Sequence, residues 1–188
     1  MLMPAPIKTE ALGKLGGETQ GATVTTEGER AAALAINHST PARAAQDPNF
    51  VLYCDGLTEP YNPGGWGCWA WVALDAAGAE IAAGRGCLGH GPGITNNLAE
   101  YTAALEATDW ARAQGLTGIL LRADSRLVVE QTAGRWACNA PHLRPLRDEL
   151  RARLIALTAH IEWIPRTANT RADELSRLAY TEARNRAR

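Results

Sequence analysis

The sequence predicts an α/β protein whose five-stranded mixed sheet is flanked by helices. Three apolar runs near the start of this region are joined by short connections containing glycine and proline, so they should pair as antiparallel strands, because parallel pairing needs a long crossover. Two later runs each follow a helical pattern, and helical crossovers place strands parallel to a neighbour. The predicted sheet therefore has three antiparallel strands followed by two parallel ones, with the first strand central.

The elements are predicted in the order β-β-β-α-β-α-α-β-α. Strands are expected at Phe50–Asp55, Trp66–Leu74, Glu80–Leu88, Thr117–Ala123 and Ala159–Pro165. Apolar residues at helical spacing predict helices at about 97–114, 125–133 and 143–157, and a last helix from about 170. Gly115 and Gly134 are expected to end the first two helices.

Residues 1–48 are rich in Gly, Thr, Glu, Pro and Ala without a sustained period. We expect them to form a disordered or weakly ordered tail before a catalytic domain at 49–188. No run approaches the roughly 18 apolar residues of a membrane span, and the start lacks the basic-then-apolar order of a signal peptide. We therefore expect a cytoplasmic protein. The formal net charge of -1 means that affinity for nucleic acid would have to come from a local patch.

The four cysteines, Cys54, Cys68, Cys87 and Cys138, are widely spaced and include no C-x-x-C pair. This spacing does not fit a zinc site. Three of them fall in apolar strand-like runs, where a free cysteine behaves as a small hydrophobic residue. We expect all four to be reduced residues of the core.

Four acids stand at predicted strand ends or in first helical turns: Asp55, Glu100, Asp124 and Asp173. Each has a structural explanation when it is taken alone. Asp55 could open a turn, and Asp124 could be the N-cap of the following helix. Glu100 lies three residues after Asn97, as in a capping box, and Asp173 suits the dipole of the last helix.

Taken together, the four acids indicate a metal site. Ligand sites of open α/β sheets lie beyond the carboxyl ends of the strands, and Asp55 and Asp124 occupy such ends. Converging carboxylates repel one another unless cations are present, and Mg²⁺ takes oxygen ligands of this kind. Carboxylate clusters that hold two metals ~3.5–4 Å apart catalyse displacement at phosphorus.

The same acids lie in segments that resemble the four signature segments of the type 1 ribonuclease H family, in that family's order. These segments are Tyr53-Cys54-Asp55-Gly56, Ile94-Thr95-Asn96-Asn97-Leu98-Ala99-Glu100-Tyr101, Ala123-Asp124-Ser125 and Asn169-x-x-Ala172-Asp173-Glu174-Leu175-Ser176. The resemblance covers residues 50 to about 180. It implies a ribonuclease H-like fold in which Asp55, Glu100, Asp124 and Asp173 are catalytic carboxylates binding two Mg²⁺, with Mn²⁺ as an alternative.

The activity implied by the resemblance is endonucleolytic hydrolysis of the RNA strand of RNA–DNA hybrids, leaving 5′-phosphate and 3′-hydroxyl ends. The minor groove of such a hybrid displays 2′-hydroxyl groups. The resemblance implies that Asn96 and Asn97, with the backbone near Gly56, bind these groups, and that Thr95 binds a phosphate of the DNA strand. Helix capping explains the two asparagines equally well. We expect the hybrid to be the partner of a monomeric protein, with no protein partner and no membrane.

One departure from the best-known members of the family concerns the loop before the last helix. Those members carry a histidine there, whereas residues 164–169 contain none and include Arg166. Whether Arg166 compensates for it is left open by the sequence. Two alternative functions also remain open, namely a non-catalytic module that binds hybrids and another nuclease on the same fold, such as an exonuclease or a resolvase.

Overall fold

The structure is a computed structural model and describes residues 48–187. The predicted tail lies outside the described residues except for Pro48. The strands are β1 (Phe50–Glu59), β2 (Gly64–Asp75), β3 (Glu80–Gly91), β4 (Ile119–Ala123) and β5 (His160–Trp163). The helices are α1 (Asn96–Ala113), α2 (Arg126–Thr132), α3 (Arg144–Ala156) and α4 (Thr170–Arg186), with 3₁₀ turns at Pro141–Leu143 and Arg166–Ala168. The predicted order of elements is confirmed.

The five strands form one mixed sheet in the order β3-β2-β1-β4-β5. β2 pairs antiparallel with both β1 and β3, whereas β4 pairs parallel with both β1 and β5. The predicted fold class and the central place of the first strand are therefore confirmed.

β1 is longer than predicted. It does not end at Asp55, because β2 continues to pair with it as far as Glu59, which lies opposite Trp66. The parallel pairing with β4 stops earlier, at Cys54 opposite Ala123. Asp55 is thus the first residue of β1 beyond the end of β4, and the sheet opens there.

Alanines, more than leucines, form the face of α1 that packs on the sheet. The helical spacing of Leu98, Tyr101, Leu105 and Thr108 predicts that these four residues form the inward stripe of α1. Tyr101 and Thr108 are buried, but Leu98 and Leu105 are only partly buried. The fully buried small residues of α1 are Ala99, Ala103, Ala104, Ala107 and Ala111. Small side chains allow the helix to lie close to β1, and a Cβ on Gly56 would stand only 2.2 Å from the backbone nitrogen of Glu100.

The core lies on both faces of the sheet. α1 and α3 cover one face around residues such as Leu52, Leu121 and Leu150, while α4 covers the other around Ala70 and Leu175. All four cysteines are free thiols, and only Cys87 is not fully buried. No helix within residues 48–187 has both the length and the apolar character needed to cross a membrane.

Candidate metal and active site

Three carboxylates converge where β1 outruns β4. Asp55 lies on β1, Glu100 on α1, and Asp124 directly after β4. One oxygen atom from each lies within 4.8 Å of the other two. Asp55 and Glu100 are 3% and 7% exposed, and Asp124 is partly buried. The structure therefore brings together three of the four predicted acids in a place that is poorly hydrated.

The electrostatics of this group disfavour three negative charges. Burial raises the pKa of Asp55 to about 6, and the Asp124 charge adds to this rise, while a hydrogen bond from Ser176 opposes it. Burial and the Asp55 charge raise the pKa of Glu100 well above its usual value. Burial also raises the pKa of Asp124. Each group would release its proton more readily if a cation lay between the three.

Glu100 is held in place from both of its oxygen atoms. The backbone N–H of Gly56 donates to Oε2 at 3.1 Å, and the side-chain amide of Asn96 donates to Oε1 at 3.4 Å. The first of these bonds depends on the close approach of α1 to β1, which the missing side chain at Gly56 permits. These two hydrogen bonds fix the orientation of the Glu100 carboxylate beside Asp55 and Asp124.

α1 does not begin with the capping box that the spacing of Asn97 and Glu100 suggests. The N-cap is Thr95, whose Oγ1 accepts a hydrogen bond from the Leu98 nitrogen at 3.2 Å. The interpretation of Asn97 and Glu100 as a capping box is wrong, because Glu100 lies beyond the first turn and bonds to β1 instead. Asn96 donates its backbone N–H to the side chain of Asn62 at 3.0 Å, and Asn97 is partly buried.

Asn169 orients Asp124. It is 1% exposed, and its amide nitrogen donates to the backbone oxygen of Cys54 at 2.9 Å and to Asp124 Oδ1 at 3.2 Å. It thus ties the end of β1 to the acid that follows β4. The possibility that Asp124 is an N-cap is wrong, since Ser125 occupies that position in α2.

Asp173 stands beside the group of three, in the first turn of α4. Its carboxylate accepts hydrogen bonds from Arg166 and, at 2.8 Å, from Arg177. Burial on its own would raise the pKa of Asp173, but the hydrogen bonds from Arg177 and Arg166 outweigh it and lower the pKa. Ser176, one turn further along α4, donates to Asp55 Oδ2 and so links the helix of Asp173 to the group.

The donor set fits a hard divalent cation. The ligand atoms are carboxylate oxygens, which Mg²⁺ and Mn²⁺ accept. Among residues 48–187 the ion pairs formed by these four acids involve Asp173 alone, with Arg166 and Arg177. In the part of the chain that the structure describes, Asp55, Glu100 and Asp124 thus have no basic side chain in direct contact, so a divalent cation between them would offset their mutual repulsion.

Comparison with known proteins identifies the family. A family model described as "Reverse transcriptase-like" matches residues 62–179. Ribonuclease HI of Halobacterium salinarum is 38% identical over 135 residues, which are 70% of this chain and 64% of that protein. The chain belongs to the type 1 ribonuclease H family. A bifunctional protein of Mycobacterium tuberculosis is 35% identical over 136 residues, which are 71% of this chain and 36% of that protein.

Solved structures of ribonucleases H share the fold. The crystal structure of ribonuclease H1 from H. salinarum superposes with a TM-score of 0.66 at 35% identity, covering 71% of this chain and 98% of that one. The N-terminal ribonuclease H domain of the M. tuberculosis protein gives 0.68 at 32% identity, with 75% and 99% covered. LC11 ribonuclease H1, solved with an RNA/DNA hybrid, gives 0.64 at 26% identity, with 71% and 98% covered.

The supporting residues Asn169, Ser176 and Arg177 were not assigned roles from the sequence. The sequence contains a partial signal for Ser176 and Arg177. Asp173, Ser176 and Arg177 follow the i, i+3, i+4 spacing that places side chains on one face of a helix, so all three are expected on the same face of α4. That spacing does not reveal the partner of Ser176, which lies 121 residues earlier in the chain.

Proposed function

We propose that this chain is an endoribonuclease that hydrolyses the RNA strand of RNA–DNA hybrids and leaves 5′-phosphate and 3′-hydroxyl ends. The convergence of Asp55, Glu100 and Asp124 within 4.8 Å carries the proposal. Family membership supports it, as does the hybrid bound in the crystal structure of LC11 ribonuclease H1. The chain spans only part of the curated relatives, so the proposal concerns the activity of this chain and not of those longer proteins.

In this proposal Asp55, Glu100, Asp124 and Asp173 hold two Mg²⁺ ions, or Mn²⁺ in their place. Such a pair of ions supplies activation of a water molecule and stabilisation of the charge on the leaving oxygen. The residues around the acids keep the carboxylates in position. Ser176 and Asn169 donate to Asp55 and Asp124, so that the acids stay together despite their repulsion.

Arg166 contributes positive charge at the open side of the site. Its side chain is 62% exposed and pairs with Asp173. An exposed guanidinium attracts phosphate and can bind it through two N–H groups. We propose that Arg166 favours the approach of a phosphodiester to the acids, in the loop that carries a histidine in the best-known members.

The proposed substrate contacts are Gly56, Thr95, Asn96 and Asn97. Thr95 and Asn96 lie at the N-terminus of α1, where backbone N–H groups favour an anion. Within residues 48–187 the side chain of Asn97 makes no hydrogen bond, so its amide is available to a 2′-hydroxyl. Asn96 keeps Glu100 in place with one amide hydrogen and has a second to offer.

A cleavage assay tests the proposal. A hybrid labelled on the RNA strand is incubated with the full chain in Mg²⁺, in Mn²⁺ and in EDTA, and the product ends are mapped. We expect cleavage with either metal and none in EDTA. Asp55→Asn and Asp124→Asn should reduce cleavage to background with an unchanged circular dichroism spectrum. Asp148→Asn, an exposed acid of α3 paired with Arg147, is the matched control and should retain activity.

Other outcomes of this assay would favour the alternatives. Tight binding of the hybrid without cleavage in either metal would indicate a non-catalytic module. Faster cleavage of single-stranded DNA, duplex DNA or double-stranded RNA than of the hybrid would indicate another nuclease on this fold. Near-normal activity of Asp55→Asn would contradict the assignment of the site.

A further inference from the structure

A pair of thiols lies between β2 and β3, and neither thiol belongs to the group of carboxylates. Cys68 and Cys87 are direct partners in the antiparallel register, and their sulfur atoms are 2.7 Å apart. Among the described residues no other two cysteine sulfurs make such a contact, since Cys54 and Cys138 are nearest to backbone oxygens. The two sulfurs are closer than unbonded sulfurs ordinarily stand, and longer apart than the ~2.05 Å of a disulfide.

The backbone already suits a covalent bond at this position. Residues directly opposite in antiparallel strands have Cα atoms ~4.5–5.5 Å apart, which is inside the range found for disulfides. The pair lies next to an irregularity in the β2–β3 register, between Gly67 and Cys68. Bond formation therefore needs only a small movement of the two side chains.

The two thiols differ in their access to solvent. Cys68 is fully buried. Cys87 is partly exposed and lines an open groove of about 350 Å³, together with Trp66, Leu88 and Arg186. A small molecule in this groove would lie beside Cys87, whereas Cys68 is not part of its lining. Arg186 is paired with Glu182 only at 4.0 Å and its side chain is 82% exposed, so its guanidinium can still attract an anionic molecule there.

We propose that Cys68 and Cys87 are a modification site that forms a reversible disulfide on reaction with a small anionic disulfide such as oxidised glutathione. The sulfur of Cys87 attacks the oxidant, forms a mixed disulfide and releases one molecule of thiol. The sulfur of Cys68 then attacks that of Cys87, and its proton leaves with the second molecule of thiol. The protein loses two protons and two electrons, and the oxidant gains them.

The environment of the pair explains this order of events. Burial raises the pKa of the Cys68 thiol, and the contact with Cys87 raises it further. Cys68 is therefore a poor first nucleophile, and it reacts only when a sulfur is presented beside it. The product would join β2 to β3 beneath α4, in the cluster that contains Leu57 and Ala179.

Mass spectrometry of the oxidised full chain tests the proposal. After treatment with oxidised glutathione we expect a mass lower by two hydrogen atoms, reversed by dithiothreitol. Digestion before aspartate and after arginine separates Cys54 from Cys68 at Asp55 and Cys68 from Cys87 at Asp75, so the linked peptides identify the pair. The bond closes a loop between positions 68 and 87 and so reduces the conformational entropy of the unfolded chain. We therefore expect the melting temperature to rise by roughly 5–10 °C.

Single variants distinguish the roles of the two thiols. Cys68→Ala should accumulate a glutathione adduct on Cys87, whereas Cys87→Ser should acquire none at position 68. Cys138→Ser is the matched control and should form the same cross-link as the unaltered chain. The proposal is overturned if Cys68 and Cys87 both react with an alkylating reagent when the oxidised protein is unfolded without a reductant, or if the cross-linked protein melts at a lower temperature.

Discussion

Ser176 Oγ donates a hydrogen bond to Asp55 Oδ2, and this bond joins α4 to the central strand of the sheet. Ser176 is fully buried, and its hydroxyl also lies 2.9 Å from the backbone oxygen of Asp173. A hydroxyl has one hydrogen, so the bond to Asp55 and the bond to Asp173 compete for it. Ser176 thereby couples the position of Asp173 to the charge on Asp55.

Replacing Ser176 by Ala should weaken metal binding. Without the hydrogen bond, the pKa of Asp55 rises further and its carboxylate is less well oriented. We expect the affinity for Mg²⁺ to fall about 10-fold, as is typical for partners of metal ligands. Calorimetric titration of the free protein measures this without substrate. Thr181→Ala, on the exposed side of the same helix, is the control, and equal affinities for the two variants would contradict the coupling.

Asp55→Asn should stabilise the metal-free protein at neutral pH while it abolishes activity. A pKa of about 6 in place of the usual 3.8 makes the ionised form of Asp55 about 3 kcal/mol less favourable in the folded chain. The uncharged amide avoids most of this cost. Urea unfolding in EDTA at pH 7 should show an increase of roughly 1–3 kcal/mol in the free energy of unfolding. A decrease in the free energy of unfolding would show that burial and the neighbouring charges do not destabilise the ionised form of Asp55.

The stability of the metal-free protein should fall between about pH 4 and pH 6. The pKa of Asp55 is raised in the folded state, so the folded chain holds its proton where the unfolded chain has released it. This contribution is complete below the unfolded pKa of 3.8 and is lost as the pH rises through about 6. The raised pKa values of Glu100 and Asp124 act in the same direction.

Urea unfolding across this pH range, compared between the unaltered chain and Asp55→Asn, isolates the contribution of Asp55. The variant should lose less stability as the pH rises. Saturating Mg²⁺ should restore stability above pH 6, because a ligand that binds only the folded chain stabilises it. If the unaltered chain lost less unfolding free energy than the variant as the pH rises, the pKa of Asp55 would not be raised in the folded state.

Gly56→Ala should disrupt the contact between α1 and β1. The new Cβ would lie 2.2 Å from the Glu100 nitrogen and 2.3 Å from the Ala99 carbonyl carbon, and neither backbone atom can move alone. We expect a loss of about 3 kcal/mol in the free energy of unfolding and a loss of activity through Glu100. Gly93→Ala is the control, since nothing lies within 4 Å of its Cβ. Equal melting temperatures for both variants would refute the close contact.

The local sequence pattern predicts the type and order of the helices and strands correctly, but it does not predict the residues at which they end. The apolar run from Phe50 predicts β1, yet the strand continues to Glu59 because β2 supplies partners for the added residues. Likewise, Leu98 and Leu105 have helical spacing, but alanines form the tighter contact with the sheet. Both differences arise from pairing and packing with segments that are distant in sequence.

The sequence by itself determined the α/β class, the order of the elements along the chain and the central place of the first strand, and it predicted which acids form the site, because periodicity, short connections and signature segments are local properties. Only the tertiary structure decided how the acids are supported. Asn169 reaches Asp124 across 45 residues, and Ser176 reaches Asp55 across 121. Such contacts depend on how α4 packs against β1 and β4, and no local spacing encodes that geometry.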